Sequence, residues 1–283
     1  MEVYTEKQQL KVIIDPLKAK GITLGLVPTM GALHEGHLQL VKKAVADNNY
    51  VVVSIFVNPT QFNNKTDLER YPRTLIRDVN LLETVNANKI MIYAPTVNDI
   101  YENIAKAEAF DFDGLEFEME GKFRNGHFNG VGTIVKRLFE IVKPHNAYFG
   151  EKDYQQLQII KKLVEKNRIP VTIIGCKIHR EASGLAMSSR NTRLEPKHKK
   201  AAPFIYKTLT TAKIKFGTNS ANKVVEWVEN QFANHDILKL EYFIIADSKT
   251  LKPIKRKSNK NKYRAFIAVY AGDIRLIDNI ALN

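Results

Sequence analysis

From residue 22 to residue 176 the chain alternates between short β-branched runs and longer segments of helical periodicity, and this alternation limits the fold more than any other feature. ITLGLVPT (22–29) reads as a buried strand and GHLQLVKKAVADNN (36–49) as an amphipathic helix. YVVVSIFVN (50–58), KIMIYAP (89–95), NAYFG (146–150) and VTIIGC (171–176) repeat the strand signature. RTLIRDVNLLETVNA (73–87), NGVGTIVKRLFEIVKP (129–144) and DYQQLQIIKKLVEKN (153–167) repeat the helical one, around a less regular middle. Near-continuous apolar strands separated by helices pair in parallel, because a parallel crossover needs a dozen or more residues and its helices cover both sheet faces. The predicted fold class is therefore α/β, and in such sheets ligands bind beyond the carboxyl ends of the strands.

The alternation stops near residue 178. Two helical stretches (199–215 and 220–234) then precede three strand-like runs near 238–247, 264–271 and 273–280, which suits a smaller α+β domain. The expected domains are 1–177, holding the parallel sheet, and 178–283, closing over a ligand site on the first. A length of 283 residues accommodates both. No apolar run approaches the ~18 residues of a membrane span, and the opening MEVYTEKQQLKVII lacks the basic and apolar parts of a secretory leader. The one cysteine, Cys176, cannot form an internal disulfide and ends an apolar run, so a buried thiol is expected. These features point to a cytoplasmic protein without membrane partners.

The net charge of +13 fits either nucleic acid or a polyanionic small molecule. Its densest part, KPIKRKSNKNKYR (252–264), has seven Lys or Arg in thirteen residues but lies between two strand-like runs without interleaved aromatics. A solvated hairpin loop is expected there, and no nucleic-acid partner.

The chemistry gathers at the ends of the predicted strands. After the first comes PTMGALHEGH (28–37), whose His34 and His37 invite a zinc reading. A metalloprotease helix spaces its histidines four apart, however; here they are three apart with Gly36 between them. Gly31 and Gly36 instead let the backbone approach a ligand, the helix start attracts phosphate, and two imidazoles can donate to phosphoryl oxygens. After the second strand, FVNPTQF places Asn58 and Gln61, neutral amides suited to carboxylates and hydroxyls, before a polar, Pro-bounded stretch that suits a lid. After NAYFG, Gly150, Glu151, Lys152 and Asp153 put a cation and carboxylates at a strand's carboxyl edge, with Gln156 in the next helix. GLAMSSRN (184–191) adds Ser188, Ser189 and the permanently charged fork of Arg190.

The strings PTMGALHEGH, SIFVNPTQF, YPRT, GHFNGV, YFGEKDYQQL and GLAMSSRN together resemble the pantoate–β-alanine ligases, of the His-x-Gly-His nucleotidylyltransferase-like superfamily. The resemblance runs from about residue 20 to 195 and implies a Rossmann-like domain, a smaller C-terminal domain and usually a homodimer. It implies ATP-dependent condensation of (R)-pantoate with β-alanine through a pantoyl-adenylate, with release of pyrophosphate and AMP. Carried over by motif, Met30, Gly31, Ala32, Leu33, His34, Glu35, Gly36 and His37 fall on an ATP site, with His37 as proton donor. Gly150, Glu151, Lys152, Asp153, His179, Met187, Ser188, Ser189 and Arg190 fall on the other ATP-binding strings, and Gln61 and Gln156 on pantoate ligands, with Asn58 beside them. His34, His37, Lys152 and Arg190 would be catalytic, Mg²⁺ would ride on the ATP phosphates, and Asp78 would be an outer-sphere magnesium partner. His179, Asn129 and Ser183 depart from the family's usual valine and aspartates.

Two rivals share features with this reading. A nucleotidylyltransferase would use the same histidines on a phosphorylated acceptor, against which the neutral Gln61 and Gln156 argue. A tRNA-binding module would use the charge, but no anticodon-sized domain is legible.

Overall fold

The computed structural model describes residues 1–63, 65–102 and 104–283. It divides into two compact units, Met1–Glu151 with Gln155–Lys177, and Lys152–Tyr154 with Ile178–Asn283.

The first unit is built on six parallel strands: β1 (Val3–Tyr4), β2 (Leu24–Thr29), β3 (Tyr50–Ile55), β4 (Ile90–Tyr93), β5 (Asn146–Gly150) and β6 (Thr172–Cys176). Their order is β1-β4-β3-β2-β5-β6. The chain steps outward from β2 through β3 to β4, then restarts on the other side of β2 with β5. That reversal makes the carboxyl ends of β2 and β5 the topological switch point of a Rossmann-like sheet, where a crevice opens for ligands. Val51, Val52, Val53 and Ile92 are fully buried, as strands covered on both faces require. Val27, Leu38, Val41, Leu82 and Ile90 pack between this sheet and the helices Glu35–Asp47 and Leu75–Asn86.

The sequence reading did not include β1 or the helix Lys7–Ala19. β1 has two residues, too few to show a period, and the helix buries only Leu10 and Ile14 while Val12 and Ile13 lie exposed around an internal Pro16. The stretch expected as helix over 199–215 is two helices, Pro196–Ala201 and Phe204–Thr218, broken at Pro203. A proline ring removes an amide donor and clashes with the preceding turn.

The second unit carries an antiparallel sheet ordered β7 (Leu238–Asp247), β8 (Tyr263–Ala271) and β9 (Ile274–Ala281), with the helices Phe204–Thr218 and Ala221–Ala233 packed on it through Leu209, Ala212, Val224 and Val228. The basic stretch lies in the β7–β8 connection, where Lys255 and Arg256 are exposed. Lys257 lays its ammonium 3.9 Å from the Phe216 ring centroid, and burial pushes its pKa down. No helix among the described residues is long and apolar enough to cross a membrane.

Candidate active site

The loop leaving β2 turns through two left-handed residues, Gly31 (φ 79°) and Ala32 (φ 50°), before the helix Glu35–Asp47 begins. Glycine adopts that conformation freely; alanine does so only when its surroundings hold it. Here a carboxylate holds it. Asp78, fully buried in the first turn of Leu75–Asn86, accepts from Ala32 N–H at 3.0 Å and Leu33 N–H at 2.8 Å, while the Thr74 hydroxyl lies 3.2 Å from both its oxygens. An outer-sphere magnesium partner needs an oxygen open to water, whereas both Asp78 oxygens are buried on backbone N–H groups, where they brace the loop. Thr29 adds a second brace, accepting from Gly31 N–H at 3.2 Å and donating to the Ser54 carbonyl at 2.7 Å.

The braced loop delivers His34 and His37 to the helix N-terminus with ring centroids 4.0 Å apart, both half-buried. His34 N–H points at His37 Nδ1 over a long 3.4 Å. A neutral His37 ring accepting there carries its proton on Nε2, which suits donation to a ligand. Glu35, the base of a zinc-protease reading, accepts from Gln39 at 2.6 Å and Lys42 at 2.8 Å along its own helix. No group of three or more His, Cys, Asp or Glu able to hold a metal occurs among the described residues.

Gln61 is 9% exposed, and its Nε2 lies 2.9 Å from the Met30 sulfur, which ties the amide to the histidine loop. Its backbone carbonyl meets His127 Nδ1 at 2.9 Å. Asn58, expected to touch substrate, is 1% exposed, and its amide bonds the Gln61 side chain, the Gly130 carbonyl and the Tyr101 hydroxyl. The polar stretch after Gln61 contains a short helix, Lys65–Glu69, and packs Tyr71 against Phe62 with ring centroids 5.8 Å apart; Asn64, within the expected lid, lies outside the described residues.

At the end of β5, Gly150 and Glu151 are half-buried beside the switch point. In the helix Tyr154–Asn167, Gln155 is buried, donating to the Leu115 and Glu118 carbonyls and accepting from Glu120 N–H. Gln156, a helical step of about 100° further round, stays half-buried.

The second unit holds the remaining residues. Lys152 carries 19% side-chain exposure with its ammonium 3.4 Å from Asp153 Oδ1, and its carbonyl accepts from Asn279 Nδ2 on β9 at 2.8 Å. Arg264 lies 4.0 Å above the Tyr154 ring and donates to Asn279, so β8 and β9 hold the segment Lys152–Tyr154 within this unit. The serine-rich string rests on Arg180, which forms a bidentate pair with Asp278 at 2.6 and 3.0 Å, donates to the Gly184 carbonyl and lies 3.6 Å over Tyr206. His179 accepts from Met187 N–H through its backbone carbonyl at 3.1 Å, so an unusual side chain there leaves the pairing intact. Ser188 caps the turn Ser189–Arg193 by accepting from Arg190 N–H at 3.2 Å. The departures at Asn129 and Ser183 keep acceptors that an aspartate would supply: Asn129 Oδ1 takes Phe110 N–H at 3.1 Å, and Ser183 Oγ takes Leu185 N–H at 3.4 Å.

Asp78's bracing role, Thr29 and Thr74 were outside the sequence reading, as was Tyr101, whose hydroxyl donates to Asn58 Oδ1 at 2.6 Å. Asp78 looks like an ordinary helix-start acid, and its partners lie 45 and 46 residues away. Cys176 is buried as expected, and burial raises its thiol pKa, which suits an inert residue.

Comparison with known proteins agrees over the full length. The family model "Pantoate-beta-alanine ligase" matches residues 2–281. The pantothenate synthetase of Christiangramia forsetii is 58% identical, covering 100% of both chains, and that of Flavobacterium psychrophilum is 56% identical with the same coverage. Among solved structures, a pantothenate synthetase from Thermus thermophilus superposes with a TM-score of 0.91 at 37% identity, covering 100% of this chain and 99% of that one. A pantoate–β-alanine ligase from Francisella tularensis, complexed with β-γ ATP and β-alanine, does so with a TM-score of 0.80 at 37% identity, covering 100% and 98%. The chain belongs to the pantoate–β-alanine ligase family and is an ATP-dependent, carbon–nitrogen bond-forming ligase.

Proposed function

We propose that the braced loop from Met30 to His37 is where this ligase activates (R)-pantoate as an adenylate, with His37 and His34 donating to the phosphoryl oxygens. The observation that carries this reading is the pair of half-buried imidazoles at a helix N-terminus, on a loop that leaves the sheet at its topological switch point. A helix N-terminus favours anionic oxygen, and donors fixed in advance stabilise charge as it develops.

A carboxylate is a poor acyl donor. One pantoate carboxylate oxygen attacks the α-phosphorus of ATP, the bond to the bridging oxygen of the β-phosphate breaks, and pyrophosphate leaves with that electron pair. The β-alanine amine then attacks the carbonyl carbon, the bond to the AMP oxygen breaks, and the amine gives up a proton to yield pantothenate and AMP. Gln61 and Gln156 hold pantoate through neutral amides, which leave its carboxylate nucleophilic. Lys152 and the Arg190 fork neutralise phosphate charge, with Gly150, Glu151, Asp153, His179, Met187, Ser188 and Ser189 completing the nucleotide contacts. Most of the rate then comes from orientation and electrostatics.

Magnesium enters as the ion carried by the triphosphate, the usual arrangement for a cation that keeps most of its waters; the described residues offer it no cluster of three or more acidic, His or Cys side chains. A homodimer is the proposed assembly, supported by exposed apolar Ile104, Phe117 and Phe123 at 82%, 69% and 53%. A reaction that consumes ATP supports a cytoplasmic location.

The histidines test the reading. His34→Ala or His37→Ala should keep the fold and slow adenylate formation by roughly 10²–10³, the effect of losing one transition-state donor. Stripping metals by chelation should leave activity fully recoverable with magnesium; recovery only with zinc would overturn the assignment.

A further inference from the structure

We propose that Tyr101 and Asn58 are positioning residues that fix the Gln61 side-chain amide so that its NH₂ group, not its carbonyl oxygen, faces pantoate. The proposal rests on the reading of Gln61 as a pantoate contact. An amide's two ends have nearly the same shape, and which end faces a ligand is decided by what the other end is bonded to. Here the chain of bonds starts from a group that can act in one way only.

That group is the Gly130 carbonyl, an obligate acceptor. Asn58 Nδ2 lies 3.2 Å from it, so the nitrogen end of Asn58 must point there. The oxygen end therefore meets the Tyr101 hydroxyl at 2.6 Å, and Tyr101 is the donor. The Thr60 hydroxyl, 3.1 Å away, is a second donor to the same oxygen. The other Nδ2 proton is directed at the Gln61 side chain at 3.2 Å, so Gln61 must turn its oxygen inward. Its NH₂ then faces outward, where it meets the Met30 thioether, a weak acceptor, at 2.9 Å. A carboxylate or hydroxyl oxygen of substrate is a far better partner for that donor. A Gln61 amide turned the other way would set a carbonyl oxygen against a carboxylate.

The relay is rigid. Asn58, Tyr101 and Gln61 are 1%, 5% and 9% exposed. Arg137 donates to the Ile100 carbonyl at 2.9 Å and lies 5.1 Å from the Tyr101 ring centroid, which pins the tyrosine. The helix His127–Val142 brings the Gly130 carbonyl close because residue 130 has no Cβ; one would sit 2.2 Å from the Thr60 carbonyl oxygen. Burial raises the Tyr101 pKa, so its hydroxyl keeps its proton through the neutral range.

Steady-state kinetics on a double-mutant cycle tests the relay, with Tyr101→Phe, Gln61→Ala and the double variant measured against the parent. Tyr101→Phe should raise the KM for pantoate about 5- to 10-fold, the effect of one lost hydrogen bond, and leave the KM for ATP unchanged. In the Gln61→Ala background it should add nothing, since the amide it orients is gone. Asn58→Asp gives a second arm: a carboxylate beside the Gly130 carbonyl pulls the Gln61 NH₂ inward, so pantoate KM should rise further, again only while Gln61 is present. An equal factor for Tyr101→Phe in both backgrounds, a parallel rise in both KM values, or unchanged kinetics in a folded Tyr101→Phe protein would overturn the proposal. If Tyr101→Phe does not fold, the Asn58→Asp arm decides by the same criteria.

Discussion

Replacing Asp78 by Asn should detach the histidine loop from the sheet. The parent carboxylate receives two backbone N–H groups at 3.0 and 2.8 Å with no exposure to water. Asn keeps one acceptor oxygen and turns an NH₂ group on one of those donors, so one charge-assisted bond is lost and one buried N–H is left unpaired. Together these amount to about 2–4 kcal/mol. Ala32 makes the loss harder to absorb, since its left-handed φ of 50° is held in place by this contact. For a unit of this size about 1 kcal/mol shifts the melting temperature by about 2–4 °C, so a fall of roughly 5–15 °C is expected by calorimetry or circular dichroism. Displacing the imidazoles by even about 1 Å should slow pantoate-dependent pyrophosphate exchange on the order of 10²-fold, and added magnesium should not restore it. A melting temperature within about 1 °C of the parent, or full recovery at high magnesium, would refute the brace and return Asp78 to the metal.

Two further substitutions address the cations. Arg190→Lys should lose about tenfold or more in exchange rate despite keeping the charge, because the planar fork is gone; equal turnover would make Arg190 a surface residue. Lys255→Ser with Arg256→Ser, both in the exposed β7–β8 connection, should leave turnover unchanged, and binding to nucleic acid should be weak and steeply salt-dependent in filter assays. Salt-resistant, sequence-specific RNA binding would contradict that reading.

The parallel sheet was legible because its inner strands, β2 to β5, are buried on both faces, so YVVVSI and IMIY stand out without reference to anything distant. Strand and helix ends shifted by one to three residues where side chains intervened: Asn58 caps the turn Pro59–Gln61 by accepting from Thr60 N–H, which ends β3 short of the apolar run. The histidine loop was legible as a strand-to-helix turn carrying two imidazoles. What holds it was not. Asp78 and Tyr101 act on residues 45 and 43 positions away, and no local period or spacing encodes such a pairing. The setting of Asn58 was hidden for a related reason: N-P-T-Q reads as an open polar turn, whereas the amide bonds Tyr101 and the Gly130 carbonyl, 43 and 72 residues away.

Isotope exchange between pyrophosphate and ATP tests the adenylate most directly, because it isolates the first half-reaction. With the purified protein and magnesium, labelled pyrophosphate should enter ATP when (R)-pantoate is added and β-alanine is withheld. Gln61→Ala or Gln156→Ala should weaken the pantoate dependence far more than ATP binding. Exchange that proceeds without pantoate, or that requires a phosphorylated acceptor's product in its place, would contradict the account.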